Sequence, residues 1–233
     1  MNAYARLLAV TTVVAAAFAA GSTPASAQNA CAGLPTHAAL RAALIQAIGQ
    51  VTGPNRGFGL NMWATAVNRE GTVCTVVFTG ARVGDQWPGS RVISAQKANT
   101  ANSFSLNGLA LSTAQLYPLV QPGASLFGLQ ESNPVDTNVA YSGNTSNYGQ
   151  PNDAMVNNKI GGVNVFGGGL ALYSGGQIIG AVGVSGDTSC ADHSVAWRLR
   201  RLLGLNVTPT SDNITYGAGG HPTCLGGETP PAP

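Results

Sequence analysis

The side chains best suited to chemistry lie near the start of a predicted helix at residues 189–203. Ser185, Gly186 and Asp187 form a turn directly before that helix. The first amide groups of a helix lack partners within the helix, and the helix dipole is positive at that end. Such a turn attracts anions. We therefore predict a site for a small anionic ligand, such as an organic acid, at residues 185–189.

Two neighbouring side chains on the same helix predict a different chemistry. Asp192 and His193 are adjacent, and a carboxylate beside an imidazole is suited to general acid–base catalysis. Lys97 is expected to pair with Asp192 or with an anionic ligand, and these three residues would form the catalytic set of a small-molecule enzyme. The alternative is structural and is favoured, because residues 189–192 fit an S-x-x-D capping box in which Asp192 holds its own helix start.

The same helix also carries a predicted haem-binding face. Iron in haem needs an axial donor such as histidine. On a helical projection His193, Trp197 and Arg200 lie opposite the apolar stripe of residues 195, 199 and 202. In the ligand hypothesis His193 binds iron, Trp197 flanks the ring, and Arg200 or Arg201 meets the propionates. The alternative is a solvated helix face or a subunit contact.

The other two histidines are further candidates for axial ligands. His221 lies close in sequence to Cys224, and a disulfide there would bring this histidine towards the last helix. His37 lies in the first turn of the first predicted helix, where it faces a pocket or a neighbouring protomer. For both residues an ordinary surface histidine is the alternative.

The four cysteines predict two disulfides, because an even number in an exported chain usually pairs. Of the three pairings we favour Cys31–Cys74 and Cys190–Cys224. A metal site is the rival interpretation, although no C-x-x-C or H-x-x-x-H spacing is present. A reactive Cys190 is a further alternative, since a helix N-terminus lowers the pKa of a thiol.

Hydrophobic periodicity predicts the elements that position these residues. Helices are expected at 36–51, 90–104, 112–120 and 189–203, and strands at 60–67, 72–78 and 126–130, followed by a glycine-rich hairpin that turns at 175–176. Lys97 falls on the apolar stripe of the second helix, and Met62 is expected in the core. Residues 133–158 form a long loop in which Tyr141 and Tyr148 could make a lid; the alternative is a solvated insertion.

The chain divides into three predicted parts: a secretory signal peptide at 1–27, one domain at 28–205, and a tail at 206–233 that ends in a disordered PPAP segment. The mature protein is expected in the periplasm or secreted, with no later membrane span. Charged residues make up 9% of the chain and the net charge is +2. Without a basic stripe, nucleic acid is not an expected partner.

Three segments of the chain resemble the GlcG/HbpS-like family of haem-binding proteins. They are SRVISAQKANTANSF at 90–104, SLFG at 125–128, and GGLALYSGGQIIGAVGVSGDTSCADHSVAWRL at 168–199. The resemblance covers residues 35–205 and implies an α/β (α+β) class, with a profilin-like antiparallel sheet and packed helices in a single domain. It also implies haem as cofactor, in storage, sensing or degradation, with haem-degrading activity and a homo-oligomer as further expectations.

Overall fold

The computed structural model describes residues 30–206 and 211–232. The predicted signal peptide therefore lies outside the described residues. Within them, no helix is long and apolar enough to cross a membrane.

Four antiparallel strands form the centre of the fold. They are β1 (Trp63–Asn68), β2 (Val73–Phe78), β3 (Gly169–Ser174) and β4 (Gln177–Ser185). Their order in the sheet is β2-β1-β4-β3, so two hairpins meet along the β1–β4 pair. This antiparallel sheet with packed helices confirms the predicted fold class.

The helices cover both faces of the sheet. In chain order they are α1 (His37–Gln50), α2 (Ser90–Phe104), two single-turn helices, α3 (Thr113–Leu116) and α4 (Thr137–Ala140), and α5 (Ser189–Leu202). Helix α2 packs on β4, β1 and β3, whereas α1 and α5 pack together on the opposite side. Because both faces are covered, nearly every strand residue is buried.

Strand alternation assigns the core residues to the two faces, as the sequence predicts. Met62, Ala64 and Ala66 join the cluster beneath α1 and α5. Trp63 and Val67 join the cluster beneath α2. Met62 is 1% exposed, which confirms its predicted place in the core.

Glycine allows α2 to lie directly on the sheet. A Cβ atom on Gly183 of β4 would overlap the carbonyl oxygen of Ser94 and approach Lys97. Gly168 has a φ of 119°, and a Cβ there would overlap the carbonyl oxygen of Val184. These two glycines therefore set the close approach that brings the Lys97 side chain to the end of β4.

One predicted element in the middle of the chain is wrong. Residues 126–130 are not a strand but a series of turns, closed by bonds such as Leu129 N to the Leu126 carbonyl at 3.1 Å. Both leucines pack in a small satellite cluster with Leu116 and Val120, and this burial does not need a partner strand. The loop at 133–158 also contains local structure, namely α4 and a 3₁₀ turn at Thr145–Asn147.

The described part of the tail, residues 211–232, packs against the rest of the domain. Residues 211–232 run across α5, and Asn213 Nδ2 donates to the carbonyl of Pro231 at 2.9 Å. Pro231 is buried, so the prediction of a disordered PPAP end is wrong for the described residues. The disulfides Cys31–Cys74 and Cys190–Cys224 both form, as predicted, and the second ties the tail to the start of α5.

Candidate functional site

A buried ion pair joins α2 to the start of α5. The Nζ of Lys97 lies 2.7 Å from Oδ2 of Asp192 and donates to the carbonyl of Val184 at 3.1 Å. The two residues are 1% and 2% exposed. Of the two partners predicted for Lys97, the structure therefore supplies Asp192.

The capping role assigned to Asp192 is corrected in register. Thr188 is the N-cap of α5, and its side chain accepts from the backbone N–H of Ala191. The predicted capping box needs its acidic residue three positions after the N-cap, whereas Asp192 lies four positions after Thr188. Its Oδ1 instead accepts from the backbone N–H of Asp187 at 2.9 Å, so this carboxylate holds the turn before the helix and the lysine together.

Burial dominates the protonation chemistry of the pair. Loss of solvent raises the pKa of Asp192 to about 6, against the opposing attraction of Lys97. Loss of solvent also lowers the pKa of Lys97 from its ordinary value. Both groups are buried and bonded to each other, so the observed role of the pair is to join two elements.

The amide donors around residues 185–189 are occupied by the chain itself. Asp187 accepts through its carboxylate from the backbone N–H groups of Phe58, Leu60 and Thr188, at 2.7 to 2.9 Å. The N–H of Cys190 points at the sulfur of Cys224, at 3.2 Å. The prediction that this helix start offers free donors to an anion is therefore wrong. Ser185 and Gly186 are buried within the sheet end and its turn.

His193, Trp197 and Arg200 do share one side of α5, but this side is not an open face. All three are at most 1% exposed, because the tail covers them. The Nε1 of Trp197 donates to the carbonyl of Ala232 at 2.9 Å. Arg200 forms an ion pair with Asp212 that uses both terminal nitrogens, and Arg201 stays exposed.

His193 is held as a neutral imidazole. Its Nε2 accepts from the backbone N–H of Ile214 at 3.1 Å, whereas its Nδ1 is buried without a hydrogen-bond partner. Burial, and after it the nearby positive charge of Arg200, lowers the pKa of His193 to about 3. An iron ligand here would first require the tail to leave.

His221 is buried at the other end of the tail, next to the second disulfide. It is 1% exposed, its Nδ1 lies 2.7 Å from the carbonyl of Pro222, and its Nε2 has no partner. The rings of Tyr117 and Tyr216 flank it, at centroid distances of 4.8 Å and 6.4 Å. Burial lowers the pKa of His221 and raises that of Tyr216 to about 12.

His37 is the histidine that faces an accessible cleft. Its Nε2 lies 2.8 Å from the carbonyl of Gly149, and its side chain is half-buried. The cleft has a volume of about 320 Å³ and lies between the segment 31–37, strand β2 and the loop at 151–156. Apolar lining comes from Leu34, Pro35, Val76, Pro151 and Val156.

The long loop is fixed by a second buried ion pair that sequence reasoning missed. Arg91 of α2 binds Asp153 through two nitrogens and donates to the carbonyl of Ala140 at 2.7 Å. The guanidinium of Arg91 stacks on the ring of Tyr148, with 3.6 Å between the Cζ atom of Arg91 and the ring centroid. Tyr141 is exposed. The sequence did contain a signal for this pair. Only 9% of the residues are charged, and charged residues are almost never fully buried unless they are paired, so a buried charge such as Arg91 is expected to have a partner.

Comparison with known proteins gives the family. A family model described as "Haem degrading protein HbpS-like" matches residues 55–199. An uncharacterised 15.0 kDa protein from the dhaT–dhaS intergenic region of Citrobacter freundii is 35% identical over 115 residues, which are 49% of this chain and 59% of that protein. The match therefore spans less than two thirds of that relative.

Two solved structures are among the similar ones. A PduOC–haem complex has a TM-score of 0.48 at 22% identity, covering 71% of this chain and 89% of that one. A double mutant of HbpS from Streptomyces reticuli has a TM-score of 0.47 at 17% identity, covering 84% and 99%. Since the family model matches more than half of the sequence, the chain belongs to the HbpS-like family of haem-degrading proteins.

Proposed function

We propose that this protein is an exported haem-binding protein that takes haem in the cleft beside His37. The family match over residues 55–199 is the observation that carries the haem assignment. Export is supported by the signal-peptide pattern at 1–27 and by two disulfides, which persist in oxidising compartments.

The choice of His37 depends on access. Residues 55–199 contain a single histidine, His193, and it is fully buried with Nε2 already bonded. His221 is buried as well. His37 has to release only the carbonyl of Gly149 to present its Nε2 to iron, and it does so at the wall of an open cleft with a mixed polar and apolar lining.

The cleft fits one edge of a porphyrin rather than the whole ring. Its volume of about 320 Å³ lies at the lower end of small-molecule sites. No lysine or arginine is among its described lining residues, so the propionates would point to solvent or to another protomer. Bound haem would supply the iron redox chemistry, and this chain would supply the axial imidazole and the apolar side chains of Leu34, Val76 and Val156 against the ring.

A haem titration of the mature chain from residue 28 tests this proposal. We expect a Soret band that reaches saturation with wild type and is lost or strongly shifted in His37→Ala. The matched control is His193→Gln, which changes a histidine beneath the tail and is expected to leave the band unchanged. A normal spectrum for His37→Ala would refute the assigned ligand, and an absent band in wild type would refute haem binding.

A further inference from the structure

A second cluster of ligand-type atoms lies away from the proposed haem cleft, where the tail meets α5. The sulfurs of Cys190 and Cys224 and a ring nitrogen of His221 lie within 4.8 Å of one another. Among the described residues this is the one such group of three. His221 is 1% exposed, yet its Nε2 has no hydrogen-bond partner. A buried nitrogen lone pair without a partner is costly, so it needs a role.

The backbone contact of His221 is one that metal-binding histidines commonly make. Its Nδ1 lies 2.7 Å from the carbonyl of Pro222, which fixes the Nδ1–H tautomer and leaves the Nε2 lone pair free. Metal-binding histidines commonly donate their other ring N–H to a carbonyl in this way.

The two sulfurs have surroundings that stabilise thiolates. Cys190 is the second residue of α5, and the N-terminal turn of a helix lowers the pKa of a thiol. The backbone N–H of Cys190 lies 3.2 Å from the sulfur of Cys224, and the hydroxyl of Ser189 lies 3.4 Å from the same atom. These donors would stay in place for a thiolate on Cys224.

In the oxidised chain the sulfurs are bonded to each other and cannot bind a metal. A dithiol reductant donates two electrons and two protons, which breaks the S–S bond, gives two thiols and leaves the reductant as its own disulfide. A divalent ion that then binds both sulfurs as thiolates releases two protons. Two thiolates on tetrahedral zinc lie roughly 3.8 Å apart. The Cα atoms, 6.1 Å apart, allow this with side-chain rotation alone.

We propose that the reduced chain binds a divalent zinc-type ion through Cys190, Cys224 and His221. Two thiolates and an imidazole are the donor set that zinc prefers, and cobalt(II) binds in the same geometry. With three protein ligands the fourth position is left to water or to a ligand from outside. The Cys190–Cys224 disulfide would then act as a redox switch for the site, independently of any haem bound near His37.

A cobalt titration tests the site. The mature chain is reduced with dithiothreitol, freed of reductant under anaerobic conditions, and titrated with Co²⁺ and then Zn²⁺. We expect one equivalent of Co²⁺ with tetrahedral visible bands and a thiolate charge-transfer band, both removed by Zn²⁺. The oxidised chain should show neither. His221→Gln should weaken Co²⁺ binding by roughly tenfold or more.

The second disulfide provides the matched control. A Cys31→Ser/Cys74→Ser variant removes the other pair and should keep the cobalt spectrum, whereas Cys190→Ser/Cys224→Ser should lose it. The reverse result, or an octahedral spectrum without charge transfer, would overturn the proposal. A thermal melt gives an independent measurement: Zn²⁺ should raise the Tm of the reduced chain but not that of the oxidised chain. No increase in the reduced chain would count against the site.

Discussion

Removing the lysine from the Lys97–Asp192 pair should strongly destabilise the fold. In Lys97→Met the carboxylate of Asp192 stays 2% exposed and keeps a single described donor, the backbone N–H of Asp187. Breaking a buried pair in this way costs about 3–5 kcal/mol, because an uncompensated charge is left out of water. That cost is a large part of the roughly 5–15 kcal/mol that holds a typical domain folded.

The pH dependence gives this prediction its signature. Burial already raises the pKa of Asp192 to about 6, and loss of the Lys97 charge raises it further. When a group has a higher pKa in the folded chain than in the unfolded chain, it stabilises the fold at pH values below its unfolded pKa. This stabilisation is lost as the pH rises through its folded pKa. The deficit of Lys97→Met should therefore shrink on acidification, by up to about 1.4 kcal/mol per pH unit from the new folded pKa down to about 6, below which Asp192 of the wild type is protonated as well.

Asp192→Asn should show the opposite pH dependence. This variant keeps an oxygen acceptor for the Asp187 N–H but leaves Lys97 without a counter-charge. Burial lowers the pKa of Lys97, so the lysine can lose its proton more readily in the folded state than in the unfolded chain. The deficit should then shrink as pH rises.

Urea unfolding followed by tryptophan fluorescence measures both deficits, since Trp63 and Trp197 are buried. The double variant Lys97→Met/Asp192→Asn completes a cycle and should be more stable than the sum of the single losses predicts. Single variants within about 1 kcal/mol of wild type, with additive losses and no pH trend, would refute the reasoning.

Three further perturbations test the helix–sheet contact and the covering tail. Gly183→Ala should cost about 1–3 kcal/mol in urea unfolding, because its Cβ would overlap the backbone of α2; an unchanged midpoint would show that α2 can shift. Burial lowers the pKa of His193 to about 3, so the chain loses stability as pH falls from 6.5 towards 3. His193→Gln should reduce this dependence of the unfolding free energy on pH, by up to about 1.4 kcal/mol per pH unit. An equal pH dependence in both proteins would contradict the prediction. Asp212→Asn breaks the pair with Arg200 and should make Trp197 accessible to an added quencher, whereas unchanged quenching would mean that the other tail contacts suffice.

Much of the fold follows from local patterns that the sequence displays. The helices predicted at 36–51 and 90–104 form as α1, with Thr36 as its N-cap, and as α2, because side-chain capping and hydrophobic spacing act within a few residues. The sequence also predicted two disulfides and favoured, among three pairings, the two that form.

The interpretation of α5 shows where local patterns stop. Its helical projection placed His193, Trp197 and Arg200 on one side correctly. Whether that side meets solvent depends on residues 211–232, which are remote in sequence and are held there by Asp212, a backbone carbonyl and a disulfide. A projection describes one helix and contains no information about which segment packs on it.

The sequence by itself indicated the family through the resemblance of three segments, and that resemblance implied the antiparallel α/β architecture. It left Lys97 with two predicted partners, Asp192 or an anionic ligand, and the structure supplies Asp192. Only the tertiary structure decided which histidine faces a cleft. Burial arises from long-range packing: the tail closes over His193, whereas the Cys31 segment and the 151–156 loop leave space beside His37. Tertiary packing places a ring nitrogen of His221 within 4.8 Å of both cystine sulfurs, in the direction that its closeness in sequence to Cys224 had indicated.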